Sequence, residues 1–178
     1  YHSVTDAGDS PAQYVISPSM LESDLQYLQA HGRETVTIHD LLAYVQDGAA
    51  LPEKPVLLTF DDGYYNNYKY AYPLLKQYGM RAVLSPVASL TERFSQTDEA
   101  EQEAWSYCTG RELREMADSG VFEIQNHSYD FHELKPRKGC LRMAGETAAA
   151  YRQCFLSDTQ RAQDLFVSLG IEAPVCYT

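Results

Sequence analysis

Apolar residues recur along the chain with two periods, one typical of buried strands and one typical of helices. Residues 56–60 form an apolar run, as expected for a strand that is covered on both faces. Leu21, Leu25 and Leu28 recur at spacings of four and three, which places them on one face of a helix. Ser17 is positioned to cap the start of this helix, and its end is expected at Gly32.

The same patterns predict further elements in alternating order. Strands are predicted at residues 1–4, 35–38, 81–87, 121–125 and 175–177, and helices at 40–48, 64–78, 109–120 and 146–169. Pro73 is expected to kink or break the second of these helices. Strands that alternate with helices, without an internal repeat, indicate an α/β fold with a parallel sheet or barrel.

A complete (β/α) barrel needs on the order of 250 residues. The chain has 178 residues, so we expect one domain over residues 1–178, with an incomplete barrel that lacks its C-terminal strands. Two segments are predicted to lie outside the regular elements. Residues 6–13 are rich in turn-forming types such as Gly8 and Pro11, and residues 89–105 are predicted to form a polar, mobile surface excursion that borders a substrate groove.

Composition excludes several classes of partner. The net charge of −11 argues against nucleic acid and anionic membrane surfaces, because both require a basic face. No apolar run approaches the length of a transmembrane helix. The four cysteines include no C-x-x-C pair, which argues against a thiolate zinc site. Cys140 and Cys154 can pair in an oxidising compartment, but we favour four free or buried thiols.

Candidate chemistry lies at the ends of two predicted strands. Asp61 and Asp62 end the strand at 56–60, and His127 and His132 follow the strand at 121–125. Each pattern alone is usually a turn or a surface feature. Together, two imidazoles and one carboxylate form a common ligand set for a catalytic zinc ion, with positions left open for water and substrate. The carboxyl ends of parallel strands share one rim, so the sequence predicts a metal site there.

The residue pattern divides the two aspartates between two roles. Successive side chains near a strand end point in different directions, so one aspartate can bind the metal while the other accepts a proton from water. A metal ion lowers the pKa of its bound water to about 7. A carboxylate base can then deprotonate that water. His2 lies at the first strand and is a candidate acid on the same rim, whereas His31 and His39 are assigned to helix ends.

Both motifs resemble those of the NodB-homology polysaccharide deacetylases, the fourth carbohydrate esterase family. Residues 59–63 (TFDDG) are similar to the family's first motif, which implies that Asp61 is the catalytic base and Asp62 a metal ligand. Residues 127–132 (HSYDFH) are similar to its second motif, which implies that His127 and His132 are metal ligands.

The branch within the family is indicated by spacing and by the start of the chain. The five-residue gap between the histidines resembles the deacetylases of exported poly-N-acetylglucosamine. Residues 1–4 (YHSV) also look like the first strand of that branch, which implies that His2 is the general acid. The family's third motif, often Tyr-Pro-x-Gly after a strand like 175–178, is not in the sequence. The family's later motifs, which form a pocket for the acetyl methyl group, are not in the sequence either. The same missing part of the family's site includes a backbone N–H group that is expected to bind the oxyanion.

The resemblance implies a distorted (β/α) barrel and a metal-dependent hydrolase that removes N-acetyl groups from a polysaccharide of N-acetylhexosamine. The polymer expected is poly-N-acetylglucosamine, peptidoglycan or a chitin-like chain. One divalent cation is expected, Zn²⁺ first and Co²⁺ or Ni²⁺ as alternatives, and the location is expected to be extracellular or at the cell surface. A catalytically silent carbohydrate-binding or scaffold domain and an O-acetyl xylan esterase are the alternative functions.

Overall fold

The structure is a computed structural model that describes most of the chain. The described residues are 1–6, 14–97, 101–133 and 135–178. The predicted turn around Gly8 and Pro11, together with Asp98 and Glu99 of the acidic segment, lies outside the described residues.

All seven strands in the described part of the chain pair in parallel. Their bounds are β1 Ser3–Val4, β2 Val15–Ile16, β3 Glu34–Val36, β4 Pro55–Leu57, β5 Thr59–Asp62, β6 Ala82–Pro86 and β7 Phe122–Ile124. They form two pairs, β1 with β2 and β3 with β4, and one three-stranded sheet in the order β5-β6-β7. The predicted α/β fold is confirmed, although the described strands form three sheets and not one closed barrel.

Helices separate most of the strands. Their bounds are α1 Pro18–Ala30, α2 Ile38–Asp47, α3 Tyr72–Tyr78, α4 Ala88–Phe94, α5 Gly110–Asp118 and α6 Ala148–Ser168, and a π-helical segment covers Asn67–Ala71. The π-helical segment runs directly into α3, whose second residue is Pro73. Proline lacks an N–H and clashes with the carbonyl four residues earlier, so a wider turn before it is the expected relief. In place of the predicted kink or break near Pro73, the structure therefore has this π-helical segment, and the helix continues through it into α3.

The start of α2 differs from its prediction by two residues. Thr37 accepts a hydrogen bond from the Asp40 N–H, and the Asp40 carboxylate accepts one from the Thr37 N–H at 2.9 Å. This reciprocal capping box makes Thr37 the cap and starts the helix at Ile38. Asp40, which we took as the beginning of the helix, is its third residue.

The strand predicted at residues 56–60 is two strands in the structure. β4 pairs with β3, whereas β5 pairs with β6, and Leu58 lies between them. The Leu58 carbonyl accepts a hydrogen bond from the Val83 N–H at 2.8 Å, so the backbone changes partner without losing its bonds. A continuous apolar run contains no signal for such a change of partner.

The prediction of a polar surface excursion at residues 89–105 is wrong for much of its described part. α4 occupies the start of the segment, and its Phe94 side chain is 2% exposed. Trp105 lies against Phe94, with ring centroids 5.9 Å apart. The acidic composition of the segment obscured the few apolar residues that anchor it.

The last predicted strand, at 175–177, forms only a single parallel bridge between Asn126 and Tyr177. The cysteines are free thiols, so a Cys140–Cys154 disulfide is not formed. In the described part of the chain, no helix is both long and apolar enough to cross a membrane.

The main apolar core lies between the β5-β6-β7 sheet and the helices. Phe60, Leu84 and Ile124 come from the three neighbouring strands and are almost fully buried. Leu113 of α5 and Leu75 of α3 belong to the same cluster. This packing holds the carboxyl ends of β5 and β7 in fixed positions on either side of β6, where the candidate site lies.

Candidate metal centre

The candidate metal ligands lie at the carboxyl ends of β5 and β7. Asp62 is the last residue of β5, and His127 follows Ile124, the last residue of β7, by three positions. His132 is carried by the loop that continues from His127. Because β5 and β7 flank β6 in a parallel sheet, their carboxyl ends open on the same edge.

Three potential ligand atoms converge at this edge. The Nε2 atoms of His127 and His132 lie 3.4 and 3.0 Å from Oδ1 of Asp62. One ligand atom from each of these residues lies within 4.8 Å of the others, and no other such group of His, Cys, Asp or Glu occurs in the described ranges. The arrangement brings together the two imidazoles and one carboxylate that the sequence predicted.

The environment of Asp62 Oδ1 fits a cation. Asp62 is 5% exposed, and its Oδ1 has no hydrogen-bond partner within the described structure. The two imidazole nitrogens are close, but neither contact has hydrogen-bond geometry. A buried carboxylate oxygen without a partner is costly, and a divalent cation shared with two imidazoles would satisfy it. Two nitrogen ligands and one oxygen ligand suit zinc and other first-row metals.

The three groups shift one another's pKa values. Burial raises the pKa of Asp62, but the neighbouring imidazoles of His132 and His127 outweigh it and hold the pKa below its usual value. The Asp62 carboxylate in turn raises the pKa of His132. Asp62 is therefore ionised and ready to bind a cation, whereas a cation must compete with a proton at His132.

The backbone at the site adopts unusual conformations. Asp62 and Ser128 have φ angles of 68° and 86°, and both side chains are buried. Such conformations cost about 1–3 kcal/mol each and persist only where surrounding contacts fix them. Gly63 also has a positive φ of 77°, and an added Cβ there would lie 2.5 Å from Cβ of Pro86. Glycine after the two aspartates is thus required by both conformation and space.

The loop between the two histidines is built so that a five-residue spacing brings both rings to Asp62. The Asn126 side chain accepts a hydrogen bond from the Ser128 N–H at 2.8 Å, and Ser128 Oγ accepts one from the Phe131 N–H at 3.0 Å. These contacts fold the chain back on itself. His127 and His132 can then face the same point without being on one face of a helix.

Asp61 is not part of the ligand cluster, and its side chain lies close to His2. His2 Nε2 lies 3.7 Å from Oδ2 of Asp61, and the two side chains are 35% and 24% exposed. The Asp61 N–H donates to the Tyr1 carbonyl at 3.0 Å, which joins the segment carrying His2 to the end of β5. Both side chains are partly exposed to solvent.

Asn66 is a second anchor for the segment that carries His2. Its fully buried side chain accepts from the Val4 N–H at 2.9 Å and donates to Ser3 Oγ and to the Glu103 carbonyl. Sequence reasoning missed Asn66 because asparagine in a helical segment has no characteristic pattern. Its role is visible only once β1 lies against the π-helical region.

Thr178 and Asp158 are two further residues that the sequence analysis did not identify. Thr178 Oγ1 lies 3.2 Å from Nδ1 of His127, the ring nitrogen that does not face Asp62. Such partners fix the orientation of a ligand imidazole. Asp158 of α6 accepts hydrogen bonds from the loop between the histidines. The one available signal was an acidic residue inside a predicted helix, and acidic residues are common on the exposed faces of helices.

Two of the cavities in the described structure are lined in part by histidines. One of about 350 Å³ borders His127 and His132 and is lined by Phe131, Leu141 and Tyr177 among others. A larger cavity of about 490 Å³ contains His39, away from the candidate ligands.

Glu123, which lines the larger cavity, binds the start of α2. Glu123 accepts hydrogen bonds from the Ile38 and His39 N–H groups and from the His39 ring. His39 therefore has the structural role predicted for it. His31 bonds the Tyr27 carbonyl at the end of α1, also as predicted.

The fold and site together define an α/β protein with a candidate metal centre at the carboxyl ends of its strands. Residues 48–177 match the polysaccharide deacetylase family. This match covers more than half of the chain, so the protein belongs to that family, and the predicted family resemblance is confirmed.

Curated relatives carry a more specific name. A poly-beta-1,6-N-acetyl-D-glucosamine N-deacetylase of Staphylococcus aureus (strain MSSA476) is 31% identical over 136 residues, 75% of this chain and 44% of that protein. The Escherichia coli (strain K12) protein of the same name is 29% identical over 137 residues, 74% of this chain and 20% of that protein. The chain thus spans less than half the length of these relatives.

Solved structures share the fold over nearly the whole chain. A de-N-acetylase from Aggregatibacter actinomycetemcomitans superimposes with a TM-score of 0.81 at 26% identity, over 98% of this chain and 74% of that one. IcaB from Ammonifex degensii superimposes with a TM-score of 0.77 at 25% identity, over 99% of this chain and 70% of that one. The fold is therefore that of the NodB-type deacetylases.

Proposed function

We propose that this protein is a metal-dependent hydrolase that removes N-acetyl groups from a polysaccharide of the poly-N-acetylglucosamine type. The observation that carries the proposal is the convergence of His127 and His132 on Oδ1 of Asp62, a buried oxygen that accepts no hydrogen bond. Membership of the polysaccharide deacetylase family and the names of the curated relatives support the substrate class.

Asp62, His127 and His132 would hold one divalent cation, Zn²⁺ in our proposal, with Co²⁺ and Ni²⁺ as alternatives. When bound, such a cation polarises a carbonyl and lowers the pKa of water. The described residues supply three ligands, which leaves room for water and substrate. The low pKa of Asp62 keeps this carboxylate charged in the pH range where an imidazole is neutral.

Asp61 is the proposed general base. It lies next to a ligand in sequence but outside the ligand cluster, and its side chain reaches solvent. Its carboxylate would accept the proton of the attacking water. Because Asp61 and Asp62 are adjacent in sequence, the distance between the proposed base and the proposed cation would vary little.

His2 is the proposed general acid. Its imidazole lies 3.7 Å from Asp61 and would donate a proton to the amine nitrogen that leaves with the sugar. Asn66 and the Tyr1 backbone hold the His2 segment against β5. The two proposed proton-transfer groups are thus next to each other.

Acetate release tests the proposed reaction. The Zn²⁺-loaded chain is incubated with β-1,6-linked N-acetylglucosamine oligomers, and we expect acetate to be released. Asp61→Asn should lower the rate by roughly 10²–10⁴-fold, the range for loss of a general base, while the variant still binds Zn²⁺. Asp47→Asn, at the exposed end of α2, is the control and should keep the rate. Equal rates in Asp61→Asn and the unsubstituted chain would contradict the role of Asp61.

The two alternative functions give different results in the same assay. A silent carbohydrate-binding domain would bind the oligomer without releasing acetate. An O-acetyl esterase would release acetate from acetylated xylan and leave N-acetyl groups intact.

An extracellular or cell-surface location is also proposed, on the family resemblance alone.

A further inference from the structure

The loop that carries the two candidate ligands has all four of its consecutive amides from 128 to 131 bonded to side-chain oxygens. Two of these bonds come from Asn126 and Ser128, within the loop and its entry. The other two come from Asp158 of α6. Its Oδ2 accepts from the Tyr129 N–H and its Oδ1 from the Asp130 N–H, each at 2.8 Å.

Asp158 is 28 residues or more from the amides that it binds. Its side chain is only 7% exposed, although it lies on a helix with many exposed polar residues. Arg161, one turn further along α6, lies over the Tyr129 ring at 3.7 Å from the centroid. α6 therefore contacts the middle of the loop through hydrogen bonds to two amides and a cation–π contact with one aromatic ring.

The opposite side of the loop is held by α4. The Ala88 and Ser89 N–H groups donate to the Ser128 and Tyr129 carbonyls at 3.0 and 2.9 Å. The loop thus lies between a helix that donates to its carbonyls and a helix that accepts from its amides. The Tyr129 hydroxyl also bonds Glu92 of α4.

We propose that Asp158 is a positioning residue, which sets the distance and orientation of His127 and His132 by fixing the backbone midway between them. The inference rests on the proposed metal site. Tyr129 and Asp130 are the second and third residues after His127, and they precede His132 by three and two. A shift of their peptide groups moves both imidazoles relative to Asp62. Partners behind a metal's direct ligands are typically worth about 10–100-fold in affinity.

The geometry requires a carboxylate at this position. Two N–H donors need two acceptor atoms, and an ionised carboxylate offers two oxygens. An asparagine side chain has one oxygen and one NH₂ group, and the NH₂ group would oppose one of the two amides. The substitution Asp158→Asn therefore breaks one bond with little change in shape.

The test compares metal binding by Asp158→Asn with that of the unsubstituted chain. Competition with a chelator gives the Zn²⁺ dissociation constant, and the absorption spectrum of bound Co²⁺ reports ligand geometry. We expect the dissociation constant to rise by about 10–100-fold and the Co²⁺ spectrum to change. Asp164→Asn is the matched control, because Asp164 is exposed on the same helix and accepts a bond from Gln160. Its dissociation constant should stay within about twofold.

The possible results separate this inference from the proposed metal site. Failure of the unsubstituted chain to bind Zn²⁺ would refute the site itself. Equal Zn²⁺ affinity and an unchanged Co²⁺ spectrum in Asp158→Asn would refute the role of Asp158 alone, even if the variant is less stable. If Asp158→Asn does not fold, the role of Asp158 is tested by hydrogen exchange of the backbone amides in the unsubstituted chain. Slow exchange at Tyr129 and Asp130 without metal supports the inference, and fast exchange overturns it.

Discussion

Gly63→Ala should destabilise the fold and disturb the candidate metal site, because Gly63 lies where Asp62 leaves β5. An added Cβ would lie 2.5 Å from Cβ and 3.0 Å from Cα of Pro86. Carbon atoms normally approach to about 3.5–4.0 Å, so the overlap is roughly 1 Å. Pro86 is paired with Asp62 in the sheet and cannot turn away as a flexible side chain can.

Two costs add at Gly63. The left-handed conformation, at φ 77°, costs a non-glycine residue roughly 1–2 kcal/mol. Overpacking against a fixed neighbour typically adds about 1–3 kcal/mol. We therefore expect Gly63→Ala to lower the free energy of unfolding by roughly 2–5 kcal/mol. Because the clash pushes β5 away from β6 next to Asp62, we also expect weaker Zn²⁺ binding.

Gly48→Ala is the matched control. Gly48 has a φ of 70° at the end of α2, and nothing lies within 4 Å of an added Cβ. Gly48→Ala should lower the free energy of unfolding only by the cost of the left-handed backbone conformation, about 1–2 kcal/mol, and should leave the Zn²⁺ affinity unchanged. Urea unfolding of both metal-free variants gives the difference, expected at about 1–3 kcal/mol. Equal destabilisation by the two substitutions, with equal Zn²⁺ affinity, would refute the reasoning from the Pro86 contact.

Two other predictions concern the groups around the site. The raised pKa of His132 means that a proton competes with the metal from a pH above the usual imidazole value of about 6.5. Zn²⁺ affinity, measured by calorimetry between pH 5.5 and 8, should therefore fall as the pH is lowered, and a flat profile would contradict this. Asn66→Ala leaves the buried Val4 N–H without its partner. Urea unfolding should show that the free energy of unfolding falls by about 2–4 kcal/mol. Acetate release, which in our proposal needs His2, should also fall. If neither value changes, the anchoring role of Asn66 is contradicted.

Much of the fold could be predicted from the sequence because its signals are local. The cap at Ser17 and the apolar face formed by Leu21 and Leu25 specify α1 within a few residues of its observed bounds. The irregular turn before Pro73, which the structure shows as a π-helical segment, follows from the chemistry of one residue. The division of the apolar run at Leu58 could not be predicted, because pairing of β4 and β5 with different strands is a property of the whole sheet.

The same distinction applies to the candidate site. Asp62, His127 and His132 could be identified because short motifs end two predicted strands, and the fold brings them together. Asn66 and Asp158 could not, because each acts on residues that are distant in sequence. The acidic segment before Trp105 misled the prediction because Phe94, which anchors it, is one aromatic residue among many polar ones.

The most direct test of the central claim is the amount of metal bound per chain. The purified chain and its His127→Ala variant are loaded with Zn²⁺ and dialysed, and the bound metal is measured by mass spectrometry. His31→Ala serves as control, because His31 lies at the exposed end of α1, outside the ligand cluster. We predict about one Zn²⁺ per chain for the unsubstituted protein and for His31→Ala, and far less for His127→Ala, which keeps only two of the three ligands. One Zn²⁺ per chain in His127→Ala would contradict the assignment of the site.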